Sequence, residues 1–108
     1  MVTVYTPDAW VIVRLSGKGE VVDKVFGGWY GGYLHGDSWR LNSGITEVKD
    51  RGDNYEFVGS SGSSYTCFKD SERMTGYMAS TFALLEARAI ELGGSIKRIT
   101  VEELDGLH

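Results

Sequence analysis

Cys67 is the one thiol in the chain, and His35 is the one histidine away from the C-terminus. A thiolate–imidazole pair between them is therefore the only nucleophilic arrangement the residue types offer, and it needs the two side chains to meet in an activating environment. Cys67 alternates with Tyr65 along a strand-like run, opposite Thr66 and Phe68, which predicts a buried small hydrophobe instead. Two histidines, one of them terminal, and one cysteine give no zinc-like spacing. Asp50, Asp53 and Asn54 lack the regular ligand positions and closing glutamate of a calcium loop, so they read as turn formers. Arg51-Gly52-Asp53 reads as the same hairpin chemistry. The expectation is a chain without catalytic residues, metal or cofactor, with Cys67/His35 chemistry as the residual alternative.

Recognition is better represented than catalysis. Gly27-Gly28-Trp29-Tyr30-Gly31-Gly32-Tyr33 sets large aromatics between glycine pairs, and His35, Trp39 and Arg40 follow closely. Trp, Tyr and Arg dominate binding hot spots, and aromatic faces stack on bases, so Trp29, Tyr30, Tyr33, His35 and Arg40 are candidates for a partner or ligand surface. The bland alternative is that several of these rings fill the core. Ser60, Ser61, Ser63 and Ser64 lie in a glycine-rich turn whose hydroxyls and backbone N–H groups suit a phosphate, although the turn itself has no basic residue. Together these features leave a nucleotide ligand open: serines on phosphate, Trp29 or Tyr30 on the base, Arg40 or Arg73 on the charge. Gly17-Lys18-Gly19 has no third glycine and no helix after it, so it fails the dinucleotide fingerprint.

These residues need elements to hold them. Val2–Tyr5 suggests a short first strand ended by Pro7 and Asp8. Trp10–Leu15 is the most continuous apolar run and suits a strand buried on both faces. Ser16–Gly19 forms a hairpin turn, and Val21–Phe26 returns antiparallel. The stretch 27–33 reads as distorted β structure or a mobile loop. Trp39 to Phe68 then reads as a three-stranded meander with a bulge at Asn42–Gly44 and turns at 49–54 and 60–63.

After Lys69 the period changes. Met74, Met78, Phe82, Leu85, Ala89 and Leu92 recur at three- and four-residue spacing, with Tyr77, Thr81 and Leu84 widening the stripe. This predicts a helix over about 75–92, capped by Thr75 or Ser71 and ended by Gly93-Gly94. Ser95–Val101 is a last strand, and residues 102–108 are an acidic tail. The predicted fold is α+β: one mainly antiparallel sheet of five to six strands, covered on one face by the helix.

The chain of 108 residues suits a single domain spanning 1–108. Its 15 glycines are about twice the usual share, without a repeat or linker pattern, so they must serve turns and close approaches. A formal charge of −4 disfavours nucleic acid and anionic membranes as partners. With one cysteine, no charged-then-apolar leader and no spanning apolar run, the expected setting is the cytoplasm. Homodimerisation through an exposed sheet edge stays open.

At the meander, Trp39-x-Leu41-Asn42-Ser43-Gly44-Ile45 followed by Gly52-Asp53-x-Tyr55-x-Phe57-x-Gly59-x-Ser61-Gly62-Ser63-x-Tyr65-x-Cys67 resembles small proteins encoded by bacteriophages and prophages. The resemblance covers about Trp39–Tyr77 and carries no assigned activity or site residue. It implies a phage accessory protein of the kind that binds a host protein to inhibit or redirect it, host defence included. The expectation is a non-enzymatic binder of a bacterial host protein in the host cytoplasm. A protein that binds or sequesters a nucleotide signal is the alternative.

Overall fold

In the computed structural model, residues 2–104 are described, with the backbone alone at Tyr33. Among the described residues, eight strands form two four-stranded sheets. The first strands are β1 (Val4–Tyr5), β2 (Ala9–Gly17) and β3 (Glu20–Trp29). A single helical turn, α1 (Gly32–His35), leads to β4 (Ser38–Leu41), β5 (Ile45–Asp50), β6 (Asn54–Gly59) and β7 (Ser64–Phe68). Helix α2 (Gly76–Glu91) and β8 (Ser95–Ile99) complete the order. One sheet runs β4-β3-β2-β8 and is antiparallel throughout. The other runs β1-β7-β6-β5, with β1 parallel to β7 and the remaining pairs antiparallel.

The predicted α+β class, the helix and the strand after it are all present. The single sheet of five to six strands is not, because β2 carries two cores. Ala9, Val11 and Val13 join Phe26, Met78 and Ile96 beneath α2. Trp10 and Ile12 point the other way, into Val25, Phe57, Tyr65, Cys67 and Ile99. All five residues from Ala9 to Val13 are fully buried. A strand with both faces covered makes three layers: helix, sheet, sheet. The β5–β7 residues therefore lie across the middle sheet from the helix and not beneath it, which corrects the expected packing of the meander. Trp10 secures the junction, its indole Nε1 donating to the Phe68 carbonyl at 2.7 Å and its ring tilted against Phe57 at 5.5 Å.

The Trp39–Val48 run also splits. Its first half pairs with β3 and its second with β6, so residues 42–44 carry the chain between sheets. The expected bulge is absent there, and the register shifts instead between Ile45 and Glu47. Asn42 makes the crossing feasible. It is 4% exposed, and its Oδ1 accepts from the Val25 and Gly44 amides at 3.0 and 3.3 Å. The carboxamide thus satisfies backbone donors that strand pairing leaves open.

Helix α2 matches its predicted span. The Thr75 side chain accepts from the Met78 amide at 3.1 Å, and Gly93 at φ +84° ends the helix in the left-handed region. The expected strand 95–101 stops at Ile99. Val101–Glu103 forms a 3-10 turn in which the Thr100 amide donates to Glu103. Arg14, bidentate to Asp23 at 2.8 and 3.0 Å, also donates to the Glu103 carbonyl and fixes that turn against β2. Of the acidic tail, residues 105–108 lie outside the described residues.

Replacing Trp10 tests the sheet–sheet junction. Trp10→Ala is expected to lower unfolding stability by about 3–5 kcal/mol, and Trp10→Phe, which keeps a ring but loses the indole hydrogen bond, by about 1–3 kcal/mol. Urea unfolding midpoints at unchanged m-value measure both.

Candidate partner-binding surface

The glycine–aromatic stretch, expected as distorted β structure or a mobile loop, is divided between the regular end of β3 and the helical turn α1. Gly27 and Gly28 pair in regular register with Trp10 and Ala9 of β2, and Trp29 ends β3 opposite Ser38 of β4. Gly28 is required by what sits over it: a Cβ there would lie 2.5 Å from Met78 Sδ, inside the helix–sheet core. Gly31 is required by the turn, since a Cβ would coincide with the Gly36 carbonyl oxygen as the chain folds back on itself. The glycines are therefore sites of close approach, and the aromatics between them are fixed by the same geometry.

Several bonds hold the segment. Trp29 Nε1 donates to the Thr6 carbonyl at 3.1 Å, and its ring meets Tyr5 edge-on at 6.3 Å. The Tyr30 amide donates to Asp8 Oδ2 at 2.9 Å, and the Tyr30 hydroxyl accepts from Arg73 at 3.1 Å. Tyr30 nevertheless stays 54% exposed, Leu34 in α1 is 75% exposed, and His35 is exposed beside it. The Tyr33 side chain lies outside the described residues.

Strand β4 returns alongside and divides its side chains between two faces. Trp39 packs edge-on to Phe26 at 5.8 Å, on the helix side, and remains 38% exposed. Arg40 goes to the other side, where its guanidinium stands 4.6 Å above the Tyr5 ring. Tyr5, Trp29, Ser38, Trp39 and Arg40 together wall an open hollow of about 210 Å³. Among the described residues Arg40 makes a ring contact and no hydrogen bond, so its N–H fork is available to a ligand carboxylate or phosphate. Its charge also reaches Tyr65, whose pKa is pushed up to about 12 by burial while Arg40 acts in the opposite direction.

Of the sequence candidates, Trp29 and Arg40 meet in this hollow, and Tyr30 and His35 are exposed on the same segment of chain without lining it. The serine turn contributes none of its walls. That turn is sewn to the β4–β5 crossing: Ser43 Oγ accepts from the Ser61 amide at 2.9 Å, Ser60 Oγ donates to the Ser43 carbonyl, and Ser61 and Ser63 hydroxyls bond each other at 2.9 Å. Ser64 is buried, and its amide donates to the Thr3 carbonyl at 2.9 Å. The four serines thus have structural partners that a phosphate would have to displace.

Tyr5 and Ser38 are the wall residues that sequence reasoning missed. Tyr5 arrives through the parallel β1–β7 pairing of two distant segments, for which no local pattern exists. The Arg51-Gly52-Asp53 hairpin is accounted for by its own bonds: Arg51 holds Glu56 at 2.6 Å and Asp50 accepts from the Gly52 amide.

Cys67 is fully buried in the sheet–sheet core, and burial, with Glu72 adding to it, pushes its thiol well above the ordinary range. His35 stands exposed on α1, so thiol and imidazole do not meet. The native protein is expected to leave Cys67 unlabelled by a thiol-exchange reagent at pH 8 for as long as it stays folded, and to label fully in denaturant. Rapid labelling of the native state would contradict this placement. Among the described residues no helix is long and apolar enough to cross a membrane. In comparison with known proteins, the chain matches no family model, no curated protein and no solved structure.

Proposed function

We propose that the protein is a non-enzymatic binding protein that docks another protein on the surface formed by Trp29, Tyr30, Trp39 and Arg40, inhibiting or redirecting that partner. In the setting implied by the meander's resemblance to phage proteins, the partner is a bacterial host protein, defence components included, met in the host cytoplasm. The observation that carries the reading is the open hollow in which Arg40, whose donors are unused among the described residues, stands beside Trp29 and Tyr5 on a segment tied down by hydrogen bonds. Such rigid, amphipathic groups give affinity at low entropic cost, and they are the residue types that concentrate binding energy. The fork of Arg40 favours a partner that presents a carboxylate between apolar side chains.

The same hollow supports a second reading, capture of a small anionic aromatic ligand such as a nucleotide, with Trp29 against the base and Arg40 on the phosphate. Its volume of about 210 Å³ falls below the roughly 300–1,000 Å³ typical of small-molecule sites. That size suits one inserted side chain better than a whole nucleotide, and it places protein docking first.

The test is affinity measurement against a partner captured from bacterial lysate. Arg40→Glu and Tyr30→Ala, both surface changes, are each expected to weaken that complex by about ten- to a hundredfold while the free protein melts as before. Undiminished affinity in both variants would sink the surface assignment. Melting-temperature shifts across a nucleotide panel serve the second reading, since a bound ligand stabilises by mass action and a flat response removes it.

A further inference from the structure

We infer that the cleft between the C-terminal half of α2 and the β2–β3 hairpin binds a small amphipathic anion, an unbranched apolar chain that ends in a carboxylate. The helix does not close the core along its whole length. Met78, near its start, is fully buried, whereas Phe82, Leu85 and Ala89 further along the same stripe are only half-buried. On the sheet beneath, Leu15 and Leu41 are half-buried too, beside the buried Ile96. Leu15, Leu41, Leu85, Ala89 and Ile96 wall a cleft of about 440 Å³. That volume falls within the roughly 300–1,000 Å³ of small-molecule sites, a range that the hollow at Arg40 does not reach. An apolar chain laid in the cleft completes the burial that these core side chains lack.

The exposed lip selects the head group. Lys18, Glu20, Arg88 and Leu92 form it. Lys18 and Gly19 take the left-handed conformation of a two-residue hairpin turn, at φ +53° and +79°, which fixes Lys18 at the hairpin tip. Its ammonium has no hydrogen bond or ion pair among the described residues. The Arg88 guanidinium pairs with Glu91 at 3.1 Å, but the two side chains are 68% and 67% exposed, so water screens the pair and a ligand carboxylate can compete for it. Two cations thus stand against one carboxylate, Glu20, on the lip. The end of α2 makes little call for a cation, because the Leu92, Gly93 and Gly94 amides already bond the carbonyls of Arg88, Ala89 and Ile90. A carboxylate between Lys18 and Arg88, with its chain running inward over Leu85 and Ala89, matches both the charge of the lip and the apolarity of the walls.

Isothermal titration calorimetry of the full chain with octanoate, decanoate and dodecanoate, each below its micelle concentration, tests the inference. Saturable one-to-one binding is expected, tightening about three- to fourfold per buried methylene. Decan-1-ol, which keeps the chain and loses the charge, is expected to bind about tenfold more weakly than decanoate, and decyltrimethylammonium more weakly still. Lys18→Glu, at an exposed position, is expected to weaken decanoate by about ten- to a hundredfold and to leave decan-1-ol unchanged. Ala89→Phe, whose ring occupies the cleft, weakens both ligands. Circular dichroism and the melting midpoint check that each variant is folded. Decanoate that fails to saturate overturns the proposal, as does decyltrimethylammonium binding as tightly as decanoate, or undiminished decanoate affinity in Lys18→Glu. Arg40→Glu is the independent control: it leaves decanoate binding unchanged, because Arg40 does not line the cleft.

Discussion

Burial of β2 on both faces is the constraint from which the rest of the architecture follows. Five consecutive side chains, Ala9 to Val13, reach zero exposure, so polar residues are excluded from the run and one layer must lie on each side. Trp10 is the largest of these side chains; burying an indole contributes on the order of 4–6 kcal/mol of transfer free energy before entropy is subtracted. Its hydrogen bond to Phe68 converts that non-directional gain into a fixed position of β7 over β2. Where the apolar run ends, a charged pair takes over: Arg14 and Asp23, both largely buried, face each other across β2 and β3.

The candidate surface inherits its rigidity from this centre. Register from β2 carries β3 through two glycines to Trp29, and Met78 descends from α2 onto Gly28. The Asp8 amide donates to the Gly28 carbonyl at 2.9 Å, and the Asp8 carboxylate receives the Tyr30 amide. Arg73, just before α2, is fixed by its own amide on the Trp10 carbonyl and reaches Tyr30 with its guanidinium. Each aromatic of the surface is therefore a few bonds from the doubly buried strand. Preorganisation of this kind raises affinity by reducing what must be ordered on binding.

Much of this was legible from residue order. The α2 stripe, its Thr75 cap and the both-faces character of β2 follow from periodicity and capping chemistry that act over a few residues. The Trp39–Val48 run reads as one strand because its two halves alternate acceptably, and only Asn42, a side chain standing in for strand pairing, marks the crossing. Which layer covers which face is a long-range property: Phe57 and Cys67 would look the same under a helix or under a sheet. Tyr5 joins the hollow through parallel pairing with residues sixty positions away. Tyr77 and Leu84 read as part of the α2 stripe yet stand exposed, because a stripe's width depends on how flat the surface beneath it is, which sequence does not carry.

The proposed recognition surface lies at the end of β3 and along β4. Hydrogen–deuterium exchange of the free protein and of its complex with the captured partner reads this directly. Slowed exchange in the complex confined to the amides of residues 29–40, with the serine turn at 60–64 unchanged, is the predicted result. Protection that appears in the serine turn and leaves residues 29–40 unaltered would contradict it.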